Sequence, residues 1–234
     1  MSAAQQQRTR FLTLDSLRWI VRNRAWSWWY LIRYWRFFWF KVRNPHVVTR
    51  GFVFLGKGVQ IDARKGYGRV VLGRWVHFGD HNRLLCHEGV LTVGDKTVFG
   101  RDNTIVCYLD VEIGGAVLLS DWIYICDFDH VTSDIHTPIK DQGIVKSPVR
   151  IGAQTWIGVK ASLLRGSFVG RGSVVASHAV VRGVQPDFAI LGGVPARVIK
   201  DRREVYEAGA IQREALADIA RKHERAARLA QSEG

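Results

Sequence analysis

The chain has 234 residues, with 34 Lys and Arg against 21 Asp and Glu, three Cys, 23 Gly and nine Trp. That length and a hydrophobic fraction of 47% fit one sizeable folded domain with appendages and exclude wholesale disorder. Cys86, Cys107 and Cys126 are odd in number and form no CxxC pair, which argues against a disulfide scaffold or a zinc ribbon and fits a reducing, cytoplasmic setting. The net charge of +13 is uneven: residues 1–45 hold nine Arg and Lys and one acid, whereas residues 201–234 hold seven of each.

Residues 1–45 form a basic aromatic segment, and residues 17–41 read LRWIVRNRAWSWWYLIRYWRFFWFK. Six of the nine Trp fall here: Trp19, Trp26, Trp28, Trp29, Trp35 and Trp39. Arg18, Arg22, Arg24, Arg33 and Arg36 interrupt any apolar core a secretory signal would need, and the longest uncharged run, Ala25–Ile32, is far short of the roughly 20 residues of a membrane span. What remains is an amphipathic helix with aromatic bulk interleaved with Arg, the composition of a segment lying in a membrane interface. Residues 8–43 are therefore expected on an anionic membrane surface, as a peripheral attachment at the cytoplasmic face. The plainer alternative is packing on the protein's own body or on a sister subunit. Arg and aromatics also suit single-stranded nucleic acid, but no recognised binding module surrounds them, so no nucleic acid is expected.

From residue 46 a period of six takes over. Ile151, Ile157, Leu163, Val169, Val175 and Val181 are all aliphatic and each lies six residues from the next. The same spacing gives Leu72–Phe78–Leu84, Val93–Phe99–Ile105 and Ile113–Leu119–Ile125, fifteen apolar anchors in all. Gly follows eight of them (Gly73, Gly79, Gly94, Gly100, Gly114, Gly152, Gly158 and Gly170), always in the first two hexads of a triplet. Such a period implies a short strand and a tight turn, with three hexads making one 18-residue coil of triangular section. Gly suits the turn because it tolerates φ > 0 and leaves room for the next coil. Each coil buries its face only against its neighbours, so several are required. A sixth, less regular coil is expected around Val53–Ile61. Triplet starts at 72, 93, 113, 151 and 169 leave about twenty extra residues after Ile125, which must exit the prism as a loop within 126–150.

The stretches VEIGGAVLLSDWIYICDFDH, PVRIGAQTWIGVKASLLRGSFVGRGSVVASHAVV and AILGGVPARVIK resemble the hexapeptide-repeat acyltransferases over about residues 70–200. The likeness is to the galactoside/maltose O-acetyltransferase-like branch, and the fold it implies is mainly β, a left-handed parallel β-helix over 46–200. By that resemblance His130 matches the catalytic histidine, a general base that takes a proton from the acceptor hydroxyl as it attacks the thioester of an acyl-CoA. Asp127 and Asp129 lie close enough in sequence to orient its ring, and His136 is a rival base. The acceptor-contacting Asn of the family aligns at Asp102, with Asn103 beside it. Trp156, Val159 and Ser177 match pantetheine-channel positions, the last two acting through backbone N–H groups. Arg197 and Lys200 match positions that meet CoA phosphates. A further basic position falls on Gly183, one residue after Arg182. The resemblance also implies a homotrimer with the CoA site between prisms.

His77, His81 and His87 raise a zinc hydratase on the same fold, but the chain has no HxxxxH pair, so no metal is expected. Residues 201–234 carry helix formers with opposite charges three or four apart, and Val205, Ile211, Ala215 and Ile219 suggest an apolar stripe on a C-terminal helix. The function expected is O-acylation, most simply acetylation, of a carbohydrate hydroxyl on a glycolipid or cell-envelope polysaccharide precursor. A soluble acetyltransferase of a free sugar or antibiotic, and a non-catalytic scaffold, are the alternatives.

Overall fold

The structure is a computed structural model and describes residues 13–210. Three parallel sheets of seven, eight and six strands run the length of residues 48–201 and form the faces of a triangular prism. Six complete coils occupy 48–63, 68–86, 89–107, 110–126, 149–163 and 168–181. On the first face Leu72, Val93, Ile113, Ile151 and Val169 stand in one register; Phe78, Phe99, Leu119, Ile157 and Val175 do so on the second. The third face aligns Leu84, Ile105, Ile125, Leu163 and Val181. All fifteen anchors are buried, none more than 3% exposed. Each such side chain contributes roughly 1.5–3 kcal/mol, and only the stacked neighbours make that burial possible.

The expected weak first coil is present, with Val53 and Ile61 buried. After the sixth, Ala189–Gly193 continues the second face, and Ala196–Asp201 turns back to pair antiparallel with it as its closing strand.

The glycines behave differently from the reading of their turns. None of the eight that follow an anchor has a positive φ. The left-handed residue comes two positions later and carries a side chain everywhere except Gly172, as in Trp75, His81, Lys96, Asp102 and Gln154, with φ between 57° and 62°. Gly is needed at the earlier position because the next coil passes too close: a Cβ on Gly79 would stand 2.2 Å from the Gly100 carbonyl oxygen. In the third hexad of the earlier coils the strands, such as Arg83–Cys86 and Thr104–Cys107, run on past the anchor, where the turns that take Gly elsewhere would begin.

The N-terminal segment is two helices, not one. Helix α1 spans Leu14–Arg22, with the Thr13 hydroxyl accepting the Ser16 N–H at 3.1 Å, and α2 spans Trp28–Arg43. The break follows from Asn23, which turns its amide back to the Trp19 carbonyl, and from Arg24 at φ 48°. Trp19 stacks on Trp75 at 4.2 Å, while Tyr30 and Tyr34 meet Phe54 edge-on. Phe37 is buried against the first coil. The inner face of the segment thus packs on the prism, whereas Trp26, Trp28, Trp35, Phe38 and Val42 stay exposed. Neither helix is long and apolar enough to cross a membrane. Residues 202–210 are helical, with Val205 exposed; Ile211, Ala215 and Ile219 lie outside the described residues.

Candidate active site

Cys126 closes the third strand of coil four, and the chain leaves the prism as an antiparallel ribbon, Phe128–His130 against Ile144–Lys146. His130 ends the outgoing strand with an exposed side chain. Behind it runs a column of rings from successive coils: Phe128 at 5.9 Å, then Tyr108 at 4.7 Å from Phe128, then His87 stacked on Tyr108 at 4.9 Å. Lys146 anchors the returning strand by an ion pair with Glu88, two coils back. That hydrogen bond holds the Glu88 carboxyl below the usual range. On the other side Arg165 reaches Asp129 at 3.0 Å and the Ser147 hydroxyl at 3.1 Å, and Arg182 lies 3.6 Å from Asp129. The base of the ribbon is therefore pinned on both edges. His136 sits further out, its backbone N–H donating to Asp134, which also accepts from the Thr137 hydroxyl.

Among the described residues no hydrogen bond joins either aspartate to the His130 ring. Asp127 is fully buried, and its carboxylate accepts the N–H groups of Tyr108, Leu109 and Asp110 at 2.7–2.8 Å. It holds the turn of the preceding coil. Asp129 is committed to the two arginines. Asn103 is also fully buried: its Oδ1 accepts the Ile123 N–H at 2.7 Å, and its own N–H donates to Asn82. It is a rung between coils, with its Nδ2 buried and without a partner among the described residues. Asp102 is on the surface in a left-handed turn slot, 3.5 Å from His81 Nδ1.

The residues matched to CoA gather elsewhere. Trp156 stands half-exposed on the outer side of the second face, its indole N–H on the Ser120 hydroxyl at 3.1 Å. The register continues through Val174 and Ile190 to Lys200. Val159 and Ser177 follow at the corner between the second and third faces, one coil apart. Among the described residues neither of their N–H groups has a hydrogen-bond partner. Arg197 and Lys200 are exposed on the closing strand. Gly183 has open space around it, and Arg182 is turned towards Asp129. Within one protomer, then, His130 leaves from the far edge of the third face and does not join this set.

Among the described residues no group of three His, Cys, Asp or Glu is placed to hold a metal ion. His77, His81 and His87 are separated: His77 lies among Phe54 and the helix aromatics, His81 beside Asp102, and His87 on Tyr108. The sequence reading missed Arg165, Lys146 and Glu88. Arg165 and Arg182 are 17 residues apart, nearly one coil, and that spacing was the available signal for a shared corner.

No protein-family model matches the chain. The probable acetyltransferase Rv3034c of Mycobacterium tuberculosis (strain ATCC 25618 / H37Rv) is 59% identical over 92% of this chain and 73% of its own length. The chain belongs to the hexapeptide-repeat acetyltransferases. A second relative of this family is the putative lipopolysaccharide biosynthesis O-acetyl transferase WbbJ of Escherichia coli (strain K12). It is 30% identical over 68% of this chain and 74% of its own. The solved structure of AntD, an N-acyltransferase from Bacillus cereus in complex with dTDP and 3-hydroxybutyryl-CoA, superposes with a TM-score of 0.59. It covers 76% of this chain and 95% of that one at 18% identity, which supports the shared fold.

Proposed function

We propose that the protein is an acyl-CoA-dependent O-acyltransferase acting on a carbohydrate hydroxyl at a membrane surface. The observation that carries this reading is the pinned ribbon, which presents His130 to solvent at a fixed place on the prism edge. The names of the relatives support the substrate class: WbbJ is named for lipopolysaccharide biosynthesis, and WcaF of Escherichia coli (strain K12) for colanic acid biosynthesis. In the step proposed, a ring nitrogen of His130 takes the proton of the acceptor hydroxyl as its oxygen bonds to the thioester carbon. The C–S bond then breaks and the departing thiolate recovers that proton. The Val159 and Ser177 N–H groups would receive the pantetheine carbonyls beside Trp156, and Arg197 and Lys200 the phosphates. Asp102 is the surface residue left to meet the acceptor.

Because His130 and the CoA set occupy different corners of one prism, the site is completed by a second copy, and we infer a homotrimer. The exposed Trp and Arg of residues 13–43 support a seat on an anionic membrane, and with it an acceptor that is lipid-linked or polymeric.

Thiol release from acetyl-CoA, measured with carbohydrate acceptors, tests the base. His130→Ala should lose about 10²–10⁴ in turnover. Its thermal stabilisation by CoA should persist, about 2.7 kcal/mol at a hundredfold excess over Kd. Arg197→Ala should weaken that stabilisation instead. Undiminished turnover in His130→Ala would remove the assignment, and a monomer by sedimentation at assay concentration would remove the trimer.

A further inference from the structure

Between α2 and the first coil lies an open cleft of about 600 Å³. Trp35, Arg36, Trp39 and Arg43 line it from the helix, and Lys57 lines it from the turn opposite. No acidic side chain borders it. Arg36 is held over the turn by a 3.4 Å contact with the Leu55 carbonyl, and Arg43 lies 5.7 Å from the Trp39 ring. Asp80, one coil on, is taken up by the Lys57 backbone N–H at 2.7 Å. Three cations against the one neighbouring carboxylate, Asp80, leave the cleft net positive, which suits an anion, and guanidinium forks suit a phosphate.

The walls say what kind of anion. A small inorganic ion makes no use of two indoles, whereas an amphiphile does. Trp35 also belongs to an exposed stripe, Trp28, Leu31, Trp35, Phe38 and Val42, spaced three and four apart along α2. The charged cleft therefore opens beside an apolar face, the order of headgroup and hydrocarbon at a bilayer surface. A heptad-like stripe also suits a partner helix. A second copy of this segment would, however, set nine cations against nine with a single acid on each side.

We propose that this cleft binds the phosphate of an anionic membrane amphiphile, with the α2 stripe seated in the bilayer beside it. The proposal rests on the reading of the N-terminal helices as the membrane-facing part of the enzyme. It gives that reading a defined site in place of diffuse surface charge.

The test titrates full-length protein by calorimetry with dihexanoyl-phosphatidylglycerol below its micellar concentration, beside inorganic phosphate. Saturable one-to-one binding of the lipid is expected, with inorganic phosphate far weaker. Arg36→Gln/Arg43→Gln should weaken lipid binding about a hundredfold or more, since each lost charged hydrogen bond is worth about tenfold. Lys57→Gln should weaken it less, and serves if the helix pair disturbs folding. Lys65→Gln/Arg69→Gln removes two charges outside the cleft and should leave the affinity unchanged. Equal loss in both pairs would reduce the cleft to bulk charge. Equal binding of inorganic phosphate would make it a simple anion site, and absence of saturation would end the proposal. Self-association abolished by Trp35→Ala would give the stripe to a second copy instead. CoA stabilisation, read on the same samples, separates failure of this site from failure of the acyltransferase reading.

Discussion

Replacing Asp127 by Ala separates the two roles that residue has been given. Its carboxylate accepts the N–H groups of Tyr108, Leu109 and Asp110, all at 2.7–2.8 Å at the prism corner. Hydrogen bonds to a charged acceptor are worth roughly 1.5–3 kcal/mol each, but their sum is an upper bound. Removing the side chain also relieves the desolvation of a buried carboxylate, and breaking such a buried charged arrangement typically costs about 3–5 kcal/mol. At about 2–4 °C per kcal/mol for a chain of this size, the midpoint should fall by roughly 10 °C. The assay is thermal and urea unfolding, with hydrogen exchange at the three amides, which should lose protection first. Turnover measured well below the new midpoint should change far less than in His130→Ala. A variant that keeps its midpoint within about 1 °C yet loses a hundredfold or more in turnover would refute the reasoning. It would return Asp127 to the role of orienting His130.

Three further outcomes follow from contacts of the same kind. Gly79→Ala places a Cβ 2.2 Å from the Gly100 carbonyl oxygen, on backbone that cannot move away, and should cost about 2 kcal/mol or more in urea unfolding. His77 is half-buried among Phe54, Trp19 and Tyr30, and the desolvation, aided by the nearby Arg33 charge, lowers its pKa. The unfolded chain therefore takes the proton first. Stability is complete above the ordinary histidine value of 6.5 and declines as pH falls below it, and His77→Phe should flatten that limb below pH 6.5. Arg165→Gln frees Asp129 on one edge of the ribbon; a partly exposed ion pair is worth about 1 kcal/mol or less, so unfolding should barely shift while kcat falls with KM unchanged.

The prism was legible because its period separates inside from outside at every sixth residue: Leu72 through Val181 could be assigned without a partner in view. The reason given for the glycines was only half legible. Close approach of the next coil is a three-dimensional fact, and the φ > 0 slot two residues on carries Trp75, His81 or Asp102, which a search for Gly passes over. Asp127 and Asn103 flank His130 and Asp102 in sequence, and nothing there shows what their side chains hold. Their partners are backbone amides 17 to 20 residues away, and backbone donors leave no mark in a sequence. The N-terminal segment misled in the same way, since Trp19 and Trp35 look alike on paper. One stacks on Trp75 and the other is exposed; only the side of the helix distinguishes them.

The stacking of turns also makes side-chain identity matter at positions that act through backbone. At four places the N–H two residues after an anchor donates to an Asp in the same slot of the next coil: Lys57 to Asp80, Arg74 to Asp95, Arg101 to Asp121 and Arg171 to Asp187, at 2.7–2.8 Å. Val159 occupies that slot in coil five, and the residue one coil on is Ser177, which does not cap it. Along that corner the closed amides of Lys57 and Arg101 alternate with open ones at Asp80 and Asp121, and among the described residues three successive open amides, Asp121, Val159 and Ser177, come together at the height where the CoA channel is proposed. Ser177→Asp should close the Val159 N–H as Asp121 closes that of Arg101. Stability without ligand should hold or rise by up to about 1 kcal/mol, while stabilisation by CoA is lost. Ser177→Asn, which offers the same acceptor without charge, should lose much of it too, and Ser177→Ala should keep it. If Ser177→Asp binds CoA as the wild type does, the open amides are not the pantetheine contacts, and the donor must lie on another face of the prism.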